Sequence, residues 1–192
     1  TDGTVSAISG SGSPESIVGS TTTFETAQTT FTSVAYIPGG SKVVVAYFDN
    51  FSTVGKAVVG TVSGNSISFG TVTTFDSGSS ISFVNCVYDT TNGKIVIVYN
   101  RNSVAVRSIV GTVSGTSISF GTFVEVYGGN GTSIRAIFAA GKIIAAFNNS
   151  GGITAVGTVS GTRISWGNVT LFESSTTNDI ALAYDSDEQK VV

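Results

Sequence analysis

Histidine and methionine are absent from these 192 residues, cysteine occurs once and proline twice. Without histidine there is no Ser-His-Asp or Cys-His catalysis, and the commonest metal ligand is missing. A lone cysteine, Cys86, forbids an intrachain disulfide and leaves the redox compartment unread. Charge is thin: 11% of residues are charged and the net charge is -3. The nine Lys and Arg are scattered with no basic run, which argues against nucleic acid and against anionic membrane surfaces. No stretch of 18 apolar residues is present, so membrane insertion is not expected. No signal-peptide pattern is visible at residues 1–20. The missing methionine implies a processed or excised chain, or the ordered part of something longer.

What is plentiful is Gly, Ser and Thr set among strand formers, and this material repeats. GTVSGNSISFG at 60–70 returns as GTVSGTSISFG at 111–121 and GTVSGTRISWG at 157–167, 51 and 46 residues apart. A period near 50 marks one repeated supersecondary unit. A second slot repeats with it: Tyr36, Tyr88, Phe138 and Tyr184 each stand shortly before a lysine (Lys42, Lys94, Lys142, Lys190), and Tyr47, Tyr99 and Phe147 stand five residues after the first three.

Each unit reads as four strands. First strands are expected at 31–36, 82–88, 134–138 and 180–184, and second strands at 42–47, 94–99, 142–147 and 190–192. Third strands fall at 56–62, 105–113 and 153–159. Fourth strands start at 66, 117 and 163 and cross a glycine to reach 75, 126 and 172. VVVAY and IVIVY are continuously apolar, the pattern of a strand covered on both faces. SISF alternates, the pattern of a strand with one wet face, so it belongs near the outside. Gly70, Gly121 and Gly167 inside the fourth strands mark bulges or bends. No segment carries the helical i, i+3, i+4 rhythm.

Four-stranded units of about 50 residues with buried inner strands predict an all-β, β-propeller-like array. The units run 25–75, 76–126 and 127–172. A fourth is split: residues 4–24 read as a degenerate third and fourth strand, and 173–192 supply a first strand and the start of a second. The whole of 1–192 is then one repeat domain. Joining the termini would close a four-unit ring; because Lys190-Val191-Val192 stops in mid-strand, a slice of a longer array is the equal alternative.

The search for chemistry returns little. Cys86 takes a slot held elsewhere by Val34, Ala136 and Leu182, so it reads as a small buried hydrophobe. Glu25, Asp76 and Glu173 each follow the aromatic that closes a fourth strand, with Tyr127 in the remaining copy. Such acids read first as turn residues or solvated edge charges, and only second as Ca²⁺ ligands or a glycosidase pair. No catalytic residue, metal site or cofactor is expected. The candidate ligand-binding residues lie in loops that vary while the scaffold repeats: Asp49, Asn50, Phe51, Asn100, Arg101, Asn102, Asn148 and Asn149 after the second strands, with Tyr127 on the same propeller face. Asn, Asp and Arg suit sugar hydroxyls and a ring suits the sugar face, although Asn is also a good turn residue. Asn50, Asn130, Asn148 and Asn168 fall in Asn-x-Ser/Thr sequons.

The phrase AVVGTVSGNSISFGT, preceded by KVVVAY and followed by a Thr-Phe-acid step, resembles a repeat in tail-fibre-like and other virion structural proteins of marine bacteriophages, cyanophages especially. The likeness covers nearly the whole chain, most closely 82–120 and 31–75. It implies a virion or extracellular location, with other virion or fibre subunits as partners and a multimeric assembly. The expected function is therefore a non-enzymatic module that binds a host-surface glycan through its loops. The alternatives are a purely structural spacer or assembly module and, behind both, a propeller-type glycan-processing enzyme.

Overall fold

The structure, a computed structural model, describes residues 2–8, 18–78 and 80–192. Among them there is no helix. The first sheet holds β1 (Asp2–Ile8), β2 (Val18–Ile37), β3 (Lys42–Asp49), β4 (Val54–Ser63), β5 (Ser66–Phe69) and β6 (Thr73–Asp76). The second holds β7 (Ile81–Asp89), β8 (Lys94–Arg101), β9 (Ala105–Ser114), β10 (Ser117–Phe120) and β11 (Val124–Tyr127). The third holds β12 (Thr132–Ala139), β13 (Lys142–Asn148), β14 (Gly152–Ser160), β15 (Arg163–Trp166) and β16 (Thr170–Glu173). A two-stranded piece, β17 (Tyr184–Asp185) and β18 (Lys190–Val191), follows. All pairings are antiparallel.

The core lies between the sheets, and the apolar second strands explain why. Along β3, Val44 and Ala46 pack towards the second sheet, whereas Val45 and Tyr47 pack on Phe24 and Val58. Along β8, Ile95, Ile97 and Tyr99 face the first sheet while Val96 and Val98 face the third. Successive side chains point to opposite faces of a strand, so a strand between two sheets needs apolar residues at every position.

The fourth strand differs in detail from its expectation. It is two short strands, β5 with β6, β10 with β11 and β15 with β16, both paired to the third strand of the unit. The break starts at the glycine, and the cause is the next unit. A Cβ on Gly70 would lie 1.9 Å from the Thr116 carbonyl oxygen, and one on Gly121 2.0 Å from that of Thr162. Thr116 and Thr162 sit in the β9–β10 and β14–β15 turns, so each turn presses into the glycine of the unit before it.

The first strands carry a bulge absent from the sequence reading. Phe31, Phe83 and Ser133 occupy the same slot, and all have φ near +50° (52°, 52° and 50°). At each the pairing with the second strand slips. A left-handed conformation in a bulky residue is strained unless its surroundings impose it. Here the bulge turns Ser33 and Asn85 towards the following unit, where they accept the N–H groups of Cys86 (2.9 Å) and Ala136 (3.0 Å).

The pieces expected to make up a split unit lie in the first sheet and in the two-stranded piece. β1 pairs with the first part of β2 in the register of a third and fourth strand: Gly3 opposes Glu25 as Gly55 opposes Asp76. Strand β2 then runs unbroken for 20 residues into the first strand of the next unit. Residues 9–17, including the expected Ser9-Gly10 and Ser16-Ile17 positions, lie outside the described residues. Of the first strand expected at 180–184 only Tyr184 lies in a strand, at the start of β17, where it stands opposite Val191 of β18; residues 180–183 are not in strand conformation. Among the described residues, β1 pairs only with β2, and β18 only with β17.

Candidate functional site

The chemistry-bearing side chains gather where the fourth strand of one unit ends against the second strand of the next. At the first junction Phe24 packs on Tyr47, ring centroids 5.0 Å apart, and Glu25 accepts the Tyr47 hydroxyl proton at 3.2 Å. Lys56, directly opposite Tyr47 across the sheet, reaches Glu25 at 3.2 Å and also pairs with Asp49. The second junction repeats the plan. Phe75 packs on Tyr99 at 5.2 Å, Asp76 accepts the Tyr99 hydroxyl at 2.9 Å, and Arg107 stands opposite Tyr99. Arg101 and Arg107 approach Asp76 to 3.4 and 3.8 Å, and Arg107 also lies over the Phe123 ring.

The third junction replaces all three partners together. Where the others have an acid, a tyrosine and a cation, it has Tyr127, Phe147 and Ile153. The rings still meet at 5.5 Å, and the Tyr127 hydroxyl accepts the Asn149 amide at 2.7 Å. A phenylalanine needs no acceptor, and without the acid no cation is required; a charge left alone there would be costly.

Electrostatics follow from this geometry. Burial pushes the Asp49 carboxyl up, but hydrogen bonds from Lys56, from the Ser52 hydroxyl and from the Phe51 and Ser52 amides outweigh it and hold it at about 2. Glu25 is lowered in the same way: burial opposes, while the Ala27 amide, Lys56 and Tyr47 prevail. Tyr47 and Tyr99 are raised, first by burial and then by the facing carboxylates. Burial alone pushes Cys86 up to about 12, which leaves it an unreactive thiol. At the chain's last acid of this series, Glu173 is exposed and accepts the Ser175 amide of its own turn at 2.7 Å.

No family model, curated protein or solved structure matches this chain. The site is therefore read from its own geometry.

Most of the polar groups of the sequence-predicted loop residues are engaged internally. Asp49 is buried and caps its turn through the Phe51 and Ser52 amides. Asn50 accepts the Thr30 hydroxyl. Asn100 is fully buried; it donates to Asn130 and to the Gly131 carbonyl and accepts the Ser103 amide. Asn148 donates to Thr132 and accepts the Gly151 amide, and Asn149 is held by Tyr127. Arg101 faces Asp76. Phe51 is different: it is 89% exposed at the tip of its turn. Asn102 is also exposed, in a left-handed turn position.

The acids Glu25 and Asp76 are not solvated edge charges: both are largely buried junction partners. Their role was readable from one signal, the joint replacement of acid, tyrosine and cation in the third repeat. Asp185 is a turn residue, accepting the Asp187 and Glu188 amides. On the first strands, Tyr36, Tyr88 and Phe138 line an open cleft of about 380 Å³; Tyr88 and Phe138 are partly packed against the core and Tyr36 is exposed.

Proposed function

We propose that the chain is a non-enzymatic structural module of a virion or extracellular fibre, of the phage tail-fibre kind, built as a propeller-like stack of four-stranded units with a split fourth unit. The observation that carries this reading is the junction itself. Side chains that a binding loop would turn outward (Asp49, Asn100, Asn148, Asn149) are bonded within and between units instead. Bulge, glycine contact and ring packing recur from unit to unit in the same direction. Such repetition makes a stiff body whose stability is the sum of units and nearest-neighbour interfaces.

A second reading, binding of a host-surface glycan, is favoured by one observation: the exposed ring of Phe51 beside polar turn residues, a surface suited to the apolar face of a sugar. Avidity over several copies would supply its strength. Titration with host-surface polysaccharides, with products followed in the same samples, separates the readings. The structural reading predicts neither saturable binding nor cleavage. Saturable binding that disappears in Phe51→Ser establishes the glycan reading, and released sugar products overturn both.

A further inference from the structure

Three aromatic series repeat along the chain, and two of them are spent on packing. Tyr47, Tyr99 and Phe147 are 0% exposed, and Phe69, Phe120 and Trp166 pack against the core. The series on the first strands differs. Tyr36, Tyr88 and Phe138 are each the last residue but one of β2, β7 and β12, and β7 packs between the other two. Tyr36 is 59% exposed, and the three rings line one open cleft of about 380 Å³. Between the rings the lining is small and buried: Ala35, Cys86 and Ala136. The cleft spans three successive units, and β1, β17 and β18 take no part in its lining. Its volume falls in the range of ligand sites, about 300–1,000 Å³.

The lining narrows the ligand. Among the described residues no charged side chain borders the cleft. The lysines that follow the rings are tied elsewhere: Lys94 and Lys142 donate to the Thr112 and Thr158 hydroxyls, both at 2.9 Å, and Lys42 to the Gly115 carbonyl at 2.7 Å. A phosphate or carboxylate would enter a chain of net charge -3 with no cation at the cleft to meet it. A peptide added as an extra strand needs free main-chain groups. The Cys86 and Ala136 amides in this lining already donate to Ser33 and Asn85 of the units before them. What the cleft offers is ring surface, with tyrosine hydroxyls at its margin, at the same step of three neighbouring strands. An uncharged sugar chain fits that offer. Its C–H faces lie on the rings, its hydroxyls stay towards water, and a repeating ligand meets a repeating platform.

We propose that the cleft of Tyr36, Tyr88 and Phe138 binds an uncharged oligosaccharide laid across the three first strands. The site adds to the glycan reading and rests on it. It is separate from the Phe51 turn: Tyr36 stands opposite Val43 near the start of β3, and Phe51 follows the end of β3.

The test is affinity electrophoresis of the 192-residue chain in native gels cast with a soluble β-glucan, a galactomannan or a dextran, with alginate as the anionic comparison. At least one neutral polymer is expected to retard the wild type, and alginate is not. Tyr36→Ala is expected to weaken binding about tenfold. Tyr36→Phe, which keeps the ring, is expected to stay within about threefold of the wild type. Tyr36 is exposed, so both variants are expected to fold, which thermal unfolding checks. No retardation by any neutral polymer overturns the site and the glycan reading together. Retardation that Tyr36→Ala leaves intact and Phe51→Ser abolishes overturns the cleft site and keeps the glycan reading. A Tyr36→Phe variant as weak as Tyr36→Ala overturns ring stacking as the means of recognition. Retardation by alginate alone overturns the uncharged ligand. So does a proline-rich peptide whose binding depends on Tyr36 while the neutral polymers do not retard the chain.

Discussion

Asp49 carries three tasks in one side chain: it caps the turn after β3, pairs with Lys56, and through Lys56 steadies Glu25 at the first junction. The sign of its pH effect follows. A carboxylate held below its ordinary value contributes stability that is complete above about pH 4. That stability is lost as the pH falls towards about 2. Glu25 adds to the same acid limb. Tyr47 and Tyr99 act at the other end, because a hydroxyl raised above its ordinary range stabilises the fold fully only below about pH 10. Thermal unfolding followed across pH should show losses at both ends; Tyr47→Phe/Tyr99→Phe should flatten the alkaline limb and leave the Asp49 share of the acid limb in place, while the Glu25 share shrinks with the lost hydroxyl. Asn100→Ala leaves the Ser103 amide and the Gly131 carbonyl without their partner and should cost about 2–3 kcal/mol in denaturant unfolding. Phe51→Ser, at an exposed tip, should change stability by less than about 0.5 kcal/mol. In sequence, all three positions look alike, as polar or aromatic turn residues after a buried strand. Nothing local distinguishes an asparagine that faces solvent from one that bridges to residues 130 and 131, because the bridge partner sits in another unit.

At the scale of the element, strand existence was largely legible and strand breaks were only half so. Continuous apolarity placed β3 and β8 inside, and alternation placed β5 and β10 at the margin, because both patterns follow from which faces of a strand are covered. The glycines of the fourth strands announced a bend. They did not announce its cause, a turn of the next unit pressing a carbonyl oxygen into the space of a Cβ. That cause makes a prediction. Gly70→Ala and Gly121→Ala should each cost about 1–3 kcal/mol, the range of overpacking. Gly167→Ala, with its nearest neighbour at 3.7 Å, should cost less than about 0.5 kcal/mol. Equal losses at all three, measured by urea unfolding, would place the strain within each unit and not between units. The bulge at Phe31, Phe83 and Ser133 was illegible for a physical reason. No glycine marks it; at the first two copies it accompanies hydrogen bonds from the neighbouring unit to Ser33 and Asn85, residues unremarkable in sequence, and at Ser133 it forms, among the described residues, without such a bond, Arg135 donating to the Ile134 carbonyl instead.

The described residues form successive sheets with one junction used three times, twice with charge and once without: the first lies within the first sheet and the other two join one sheet to the next. The period near 50 made the row legible, and the resemblance to virion repeats supplied an expectation for its setting. The trio of acid, tyrosine and cation was hard to see because its members stand on three different strands, and at the second junction on two different sheets, Asp76 on β6 of the first and Tyr99 and Arg107 on β8 and β9 of the second. If the trio acts as one lock, its parts should be exchangeable only together. Tyr127→Asp, Phe147→Tyr and Ile153→Lys should each destabilise the third junction alone, by about 1–3 kcal/mol, through an unpaired charge or hydroxyl. The triple variant should recover most of that loss. The most direct measurement is a double-mutant cycle at the second junction: urea unfolding of wild type, Asp76→Asn, Tyr99→Phe and the double variant. A lock between the first and second sheets predicts a coupling of about 1–2 kcal/mol, with the double variant less destabilised than the sum of the singles. Additivity within about 0.3 kcal/mol would contradict it, since the two residues would then stabilise their own sheets independently and the junction would be a contact without consequence.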